Sequence, residues 1–142
     1  MPGTDVLVIN EVEAGNAFGV NLRKADDTVD TKLLSEVGEK FFALGLRQEL
    51  VIHYPEGAYA RLADGTECRI NSYVPPKVVG SVGAGDAFCA GVLYSIMKGF
   101  DAEHALRLGS CAAAMNLAAP DSVSGARSYA ETFALDSEFT RR

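Results

Sequence analysis

Two short runs of continuous apolar residues constrain this chain more than any other feature. Asp5-Val6-Leu7-Val8-Ile9-Asn10 and Glu49-Leu50-Val51-Ile52-His53-Tyr54 lack polar alternation, the pattern of strands buried on both faces. Between them Leu33, Leu34, Val37, Phe41, Phe42 and Leu44 recur at helical spacing. Asp30 or Thr31 is the candidate N-cap of that helix and Gly45 its terminator. Strand, helix, strand in that order predicts a βαβ unit with a parallel pair. Val12, Ala14 and Phe18 add a short helix directly after the first strand, and residues 25–30 read as an acidic loop.

The second strand runs into Pro55-Glu56-Gly57, a turn, after which residues 58–62 resume an extended course. Asp64-Gly65 is a strong hairpin signal, with Glu67-Cys68-Arg69-Ile70 as the returning strand. Pro75-Pro76 carries an extended connection into Lys77-Val78-Val79. From there the pattern is helical. Gly83-Ala84-Gly85-Asp86 opens a helix containing Phe88, Val92, Tyr94, Ile96 and Met97, which ends near Lys98-Gly99. Asp101 is the N-cap of a long alanine-rich helix stopped by Pro120. Ser128 and Glu131 fit a capping box for a last helix with Tyr129, Phe133 and Leu135. The fold class is α/β with a mostly parallel sheet, a β-hairpin and a C-terminal helical cluster, in one domain over residues 1–142.

Composition narrows the function. With 142 residues, 48% of them apolar and 23% charged, the chain can bury roughly two thirds of its unfolded surface. Its formal charge of -6 argues against a general nucleic-acid binder, which needs a basic face to displace phosphate counterions. It leaves open a small anionic ligand held by backbone amides. No apolar run reaches bilayer-spanning length, and the start lacks a basic stretch leading into an apolar one. Cys68, Cys89 and Cys111 are odd in number and form no CxxC pair, so free thiols are expected, with Cys89 and Cys111 buried. His53 and His104 belong to no zinc-type cluster. A cytoplasmic protein without membrane contact or structural metal is the expectation.

The most informative stretch is Val79-Gly80-Ser81-Val82-Gly83-Ala84-Gly85-Asp86-Ala87-Phe88. Small residues at 83–85 leave backbone amides uncovered where a helix begins, and the helix dipole adds partial positive charge there. A phosphate or an anionic transition state fits such a nest. Asp86, in the first turn, is placed to accept a proton from an attacking hydroxyl. An anion hole and a base within one turn are what phosphoryl transfer to an alcohol requires. The same residues also serve as a plain tight loop, with Asp86 only balancing the dipole; both readings stand. The pattern is neither a Walker A loop nor the dinucleotide GxGxxG.

The stretch GSVGAGDAFCAGVL strongly resembles the C-terminal signature of the PfkB/ribokinase family of carbohydrate kinases. The resemblance implies that Gly83, Ala84 and Gly85 form the anion hole and that Asp86 is the catalytic base deprotonating a sugar hydroxyl. Asn10-Glu11-Val12-Glu13 resembles the family's Asn-x-x-Glu motif. By that likeness Asn10 and Glu13 organise magnesium and phosphate, with Glu13 reaching Mg2+ through water, which suits a hard cation that keeps several waters. The likeness runs from Asp5 to about Leu135. It places Ser110 beside the adenine and makes the segment 111–114 line that pocket, although small residues there equally allow close helix packing. ATP and Mg2+ are the implied cofactors.

Three departures from the family pattern stand out. Gly80 occupies a position where the family usually has Asp or Asn helping to hold a monovalent cation, so a potassium site does not carry over. Gly57 matches a phosphate-contacting turn, but Tyr54 stands where a glycine is expected, and its bulk limits close backbone approach. His53 reads as a phosphate or substrate contact, or as a structural strand-end histidine. A full kinase of this family is roughly twice this length. The chain therefore resembles the C-terminal, nucleotide-binding half, without the N-terminal sugar-binding half and lid. Sugar binding would need that half supplied, and the bared strand edge predicts a homo-oligomer or a complementing chain. Two functions follow: ATP-dependent phosphorylation of a sugar hydroxyl, incomplete in this chain alone, or a non-catalytic nucleotide-binding or assembly remnant.

Overall fold

In the computed structural model, which describes residues 1–75, 77–138 and 140–141, the first apolar run is β1 (Val6–Asn10) and the second β2 (Glu49–Tyr54). They pair in parallel with Leu7 opposite Leu50 and Asn10 opposite His53. The chain crosses between them through α1 (Glu11–Asn16) and α2 (Thr31–Ala43), as the βαβ reading expects. Asp30 is the α2 cap: its carboxylate accepts from the amides of Lys32 and Leu33. Gly45 follows the helix at φ +96°, a left-handed exit suited to glycine.

The structure divides into two compact units, Met1–Arg69 and Ile70–Arg142. In the first, β3 (Gly57–Leu62) and β4 (Glu67–Asn71) complete a sheet of order β1-β2-β3-β4, whose last strand runs through the unit boundary. The sheet is mixed rather than mostly parallel: β1 and β2 are parallel, while β2 and β3 are antiparallel with Tyr54 opposite Gly57. Only Pro55 and Glu56 join that second pair, far too few residues for a parallel crossover. One sheet face presents Leu7, Ile9, Leu50, Ile52 and Tyr59, which pack with Ala14, Leu34, Val37 and Phe41 of the helices. β2 is buried along its apolar core, whereas all of β1 is half-buried. The difference follows from position, because β1 is the sheet's edge.

The second unit is helical. α3 (Ala84–Lys98) and α4 (Ala102–Leu117) are joined by three residues and pack closely. A Cβ added at Gly91 would lie 2.8 Å from the Gly109 Cα, so small residues do serve helix packing here. The Asp101 carboxylate accepts from the His104 amide at 2.8 Å, making it the expected cap. α4 ends at Leu117, with Pro120 just beyond, where a proline commonly follows a helix. α5 (Tyr129–Glu138) packs on α4 and starts from the expected box, with the Ser128 amide donating to Glu131 at 3.1 Å. Tyr73, Cys111, Ala114 and Leu135 form a small core, braced by Asp136, which takes ion pairs from Arg107 and Arg141 at 3.1 and 3.0 Å. Of the Pro75-Pro76 connection, Pro76 lies outside the described residues.

Glu49, at the start of β2, is 9% exposed, and its Oε1 has no hydrogen-bond partner. Burial raises its carboxyl above the usual range, because the charged form loses hydration without compensation. An acid whose folded value is raised destabilises the fold above that value and ceases to do so as the pH falls towards 4.5. Glu49→Gln is therefore expected to raise the thermal midpoint at pH 7, with the gain shrinking near pH 4.5. Calorimetric melts at the two pH values check this.

Candidate functional site

α3 begins without a side-chain cap. Gly83 is its N-cap, at φ +82°, and makes no capping hydrogen bond. The other described helices are capped by Asn10, Asp30, Asp101 and Ser128. The first intrahelical bond of α3 runs from the Ala87 amide to the Gly83 carbonyl at 2.8 Å, and the Ala84 amide turns back to Ser81. The amides of Gly85 and Asp86 thus sit in the first turn without intrahelical acceptors, where the dipole concentrates positive potential. Asp86 is exposed beside them.

Gly83 is required twice over. Its φ is left-handed, and a Cβ there would lie 2.5 Å from the Ser122 Cβ and 2.8 Å from the Ser122 Cα. The loop after α4 therefore packs directly on the helix start. That loop is held by Asp121, whose carboxylate accepts from the amides of Val123 and Ser124 at 2.9 and 2.7 Å. Sequence reasoning missed this contribution. Its signal was the Pro120-Asp121-Ser122 turn followed by Ser124, an Asx-turn pattern directly after a helix.

A cavity of about 430 Å³ extends from Asp86 between α3 and α4. On α4 it is lined by Leu108, Ala112, Met115 and Asn116, one helical stripe. Ser110 is buried and does not line this cavity; it lies about 200° around the helix from Leu108 and from Ala112. The segment 111–114 splits in the same way, with Ala112 on the cavity and Cys111 and Ala114 packed against Tyr73. Burial pushes the Cys111 thiol up to about 12. Cys89 is half-buried rather than buried, and its thiol is raised by burial and then by the Asp86 charge. At Gly80 an added Cβ would meet the Ala119 carbonyl oxygen at 3.5 Å, an ordinary van der Waals contact.

In the first unit, Asn10 and Glu13 close on each other. The Asn10 Oδ1 accepts from the Glu13 amide at 2.8 Å, and the Glu13 Oε2 accepts from the Asn10 amide at 3.0 Å. This capping box ends β1 and starts α1. Glu13 stays exposed, a single oxygen-donor side chain of the kind that Mg2+ takes alongside water. Among the described residues no three His, Cys, Asp or Glu side chains converge on a metal position. Asn10 stands opposite His53 in the parallel register, and burial lowers the His53 imidazole against the pull of Glu11 and Glu13. Gly57 is buried opposite Tyr54. No helix among the described residues is long and apolar enough to cross a membrane.

Comparison with known proteins identifies the family and the fold. The pfkB family carbohydrate kinase profile matches residues 1–127, and the chain belongs to that family. It is 38% identical over 110 residues to the 5-dehydro-2-deoxygluconokinase of Clostridium tetani, covering 78% of this chain and 32% of that one. The structure superposes with a TM-score of 0.79 on Arabidopsis thaliana ribokinase complexed with ribose and ATP, at 20% identity, covering 93% of this chain and 40% of that one. The Burkholderia thailandensis nucleoside kinase in complex with inosine gives a TM-score of 0.71 at 27% identity, covering 96% and 41%. The fold is ribokinase-like. The chain spans well under half the length of these relatives, less than the sequence reading expects.

Gly83→Ala adds overpacking against Ser122 to a left-handed strain and is expected to cost about 2–4 kcal/mol. At Gly99, also left-handed but with nothing within 4 Å of an added Cβ, alanine is expected to cost only about 1 kcal/mol. Urea denaturation of the two variants measures the difference.

Proposed function

We propose that this chain carries the nucleotide side of an ATP-dependent carbohydrate kinase and transfers the terminal phosphoryl group to a sugar hydroxyl once a sugar-binding part is supplied. The carrying observation is the uncapped start of α3, with the Asp86 carboxylate beside open amides. Four described helices satisfy their first turn with a side chain, and this one keeps it for a ligand. Asp86 takes the proton of the attacking hydroxyl as its oxygen bonds to the γ-phosphorus. The bond to the β-phosphate oxygen breaks, and ADP leaves. The open amides of Gly85 and Asp86, where the Gly83-Ala84-Gly85 stretch enters the helix, would stabilise the charge spread over the transferring group. Asn10 and Glu13 would hold Mg2+ through water, and the ion would neutralise phosphate charge. By its match to the family's phosphate-contacting turn, Gly57 would belong to the same nucleotide site. Ser110 lies off the cavity, and a place beside the adenine rests on the family likeness alone.

A second reading, a nucleotide-binding or assembly piece without catalysis, is favoured by Gly80 and Tyr54, which depart from the family pattern. Titration calorimetry with Mg-ATP and a coupled ADP assay separate the two. With N-terminal halves of family kinases and candidate sugars added, ADP release is expected and Asp86→Asn should lower it about 10²–10⁴-fold. Heat of binding without ADP release under any combination favours the second reading, and release that persists in the variant removes Asp86 from the mechanism.

The half-buried β1 edge and the exposed Leu93, Met97 and Phe100 support association with a second copy or a complementing chain. Sedimentation at micromolar concentration is expected to show species larger than the 15.1 kDa chain; a stable monomer would count against it.

A further inference from the structure

Among the charged groups of the first unit, Arg23 bonds through its side chain to three residues, Glu11, Asp27 and Glu56. It lies in the connection between α1 and α2, outside every motif discussed above. Its guanidinium reaches Glu11 Oε1 from Nη2 at 2.7 Å and Glu56 Oε1 from Nη1 at 2.8 Å. Further bonds run from Nε to Glu11 at 3.3 Å and from Nη2 to Glu56 Oε2 at 3.3 Å. Nη1 also donates to the Asp27 carbonyl at 2.5 Å. The side chains of Arg23 and Glu11 are 18% and 10% exposed, so these are not loose surface pairs. The two glutamates raise the guanidinium further above its ordinary value, and burial opposes them.

The partners matter more than the strength. Glu11 is the first residue of α1 and sits between Asn10 and Glu13. Glu56 lies in the two-residue turn between β2 and β3, immediately before Gly57. One planar fork thus joins two elements that backbone pairing leaves unlinked at this point. A guanidinium can grip two carboxylates at once in a set geometry, which a lysine ammonium cannot. The same contacts engage Glu11 and Glu56, while Glu13 stays outside the fork.

We propose that Arg23 is a positioning residue that holds the Asn10–Glu13 helix start and the Gly57 turn in one geometry for Mg-nucleotide. The clamp is a statement about the fold; its purpose rests on the nucleotide reading of Asn10, Glu13 and Gly57. Arg23→Lys preserves the charge and removes the fork, so it separates geometry from electrostatics. Glu56→Gln breaks one arm from a half-exposed position and guards against a variant that fails to fold.

Hydrogen exchange read by mass spectrometry tests the clamp, and calorimetry with Mg-ATP tests its purpose. In Arg23→Lys, amides at 11–15 and 56–58 should exchange about tenfold faster together, while 50–52 keep their protection. Glu56→Gln should also speed exchange at 11–15, the segment that Arg23 ties to the turn. Confinement of either effect to the mutated segment overturns the clamp. The Mg-ATP dissociation constant should rise about fivefold or more in both variants. Unchanged affinity against a binding wild type overturns the positioning role. A wild type that binds no Mg-ATP overturns the nucleotide reading and with it that role, and exchange then judges the clamp alone.

Discussion

Everything in the first unit depends on the parallel registration of β1 with β2. That pairing sets Asn10 beside His53, so both strands end at the same level and their outgoing connections start side by side. One connection is the capped beginning of α1, and the other is the two-residue turn into β3. Loops leaving the carboxyl ends of neighbouring parallel strands are where α/β folds place their ligands. A slip of one residue in β1 would turn Leu7 and Ile9 away from Leu34, Val37 and Phe41, so the register is held by the core itself.

The two helix starts solve opposite problems. At α1 the Asn10–Glu13 box satisfies its own amides, so the segment is rigid and presents one exposed carboxylate. At α3 glycine occupies the cap position and offers no side chain, so the amides remain open. The close approach of Ser122 then excludes any larger residue at position 83. A self-satisfied helix start suits a cation-facing carboxylate, and an unsatisfied one suits an anion.

Legibility in the sequence followed the range of the interaction. Caps, turns and helical stripes act over three or four residues, and Asp30, Asp101 and Ser128 stand where local reasoning expects caps. Asn10 was read as part of a ligand motif, and the structure adds that the same atoms cap a helix. Ser110 lies off the cavity beside Asp86, because adjacency in sequence says little about the side of a helix. At 100° per residue, Ala112 and Ser110 lie on nearly opposite faces. The sheet read as mostly parallel because apolar runs announce burial, while strand direction is set by the connection length.

The sequence by itself determined the βαβ start, the helical ending and the glycine-rich helix opening that marks the family, because periodicity, capping chemistry and backbone permissiveness are local properties. Only the tertiary structure decided which face of α4 borders the cavity beside Asp86, that Ser122 seals the position of Gly83, and that Arg23 bridges Glu11 to Glu56. Those contacts join residues 12 to 39 positions apart, and no local rule specifies them. They exist because packing of the core brings those segments together, after which charge and shape select the partners.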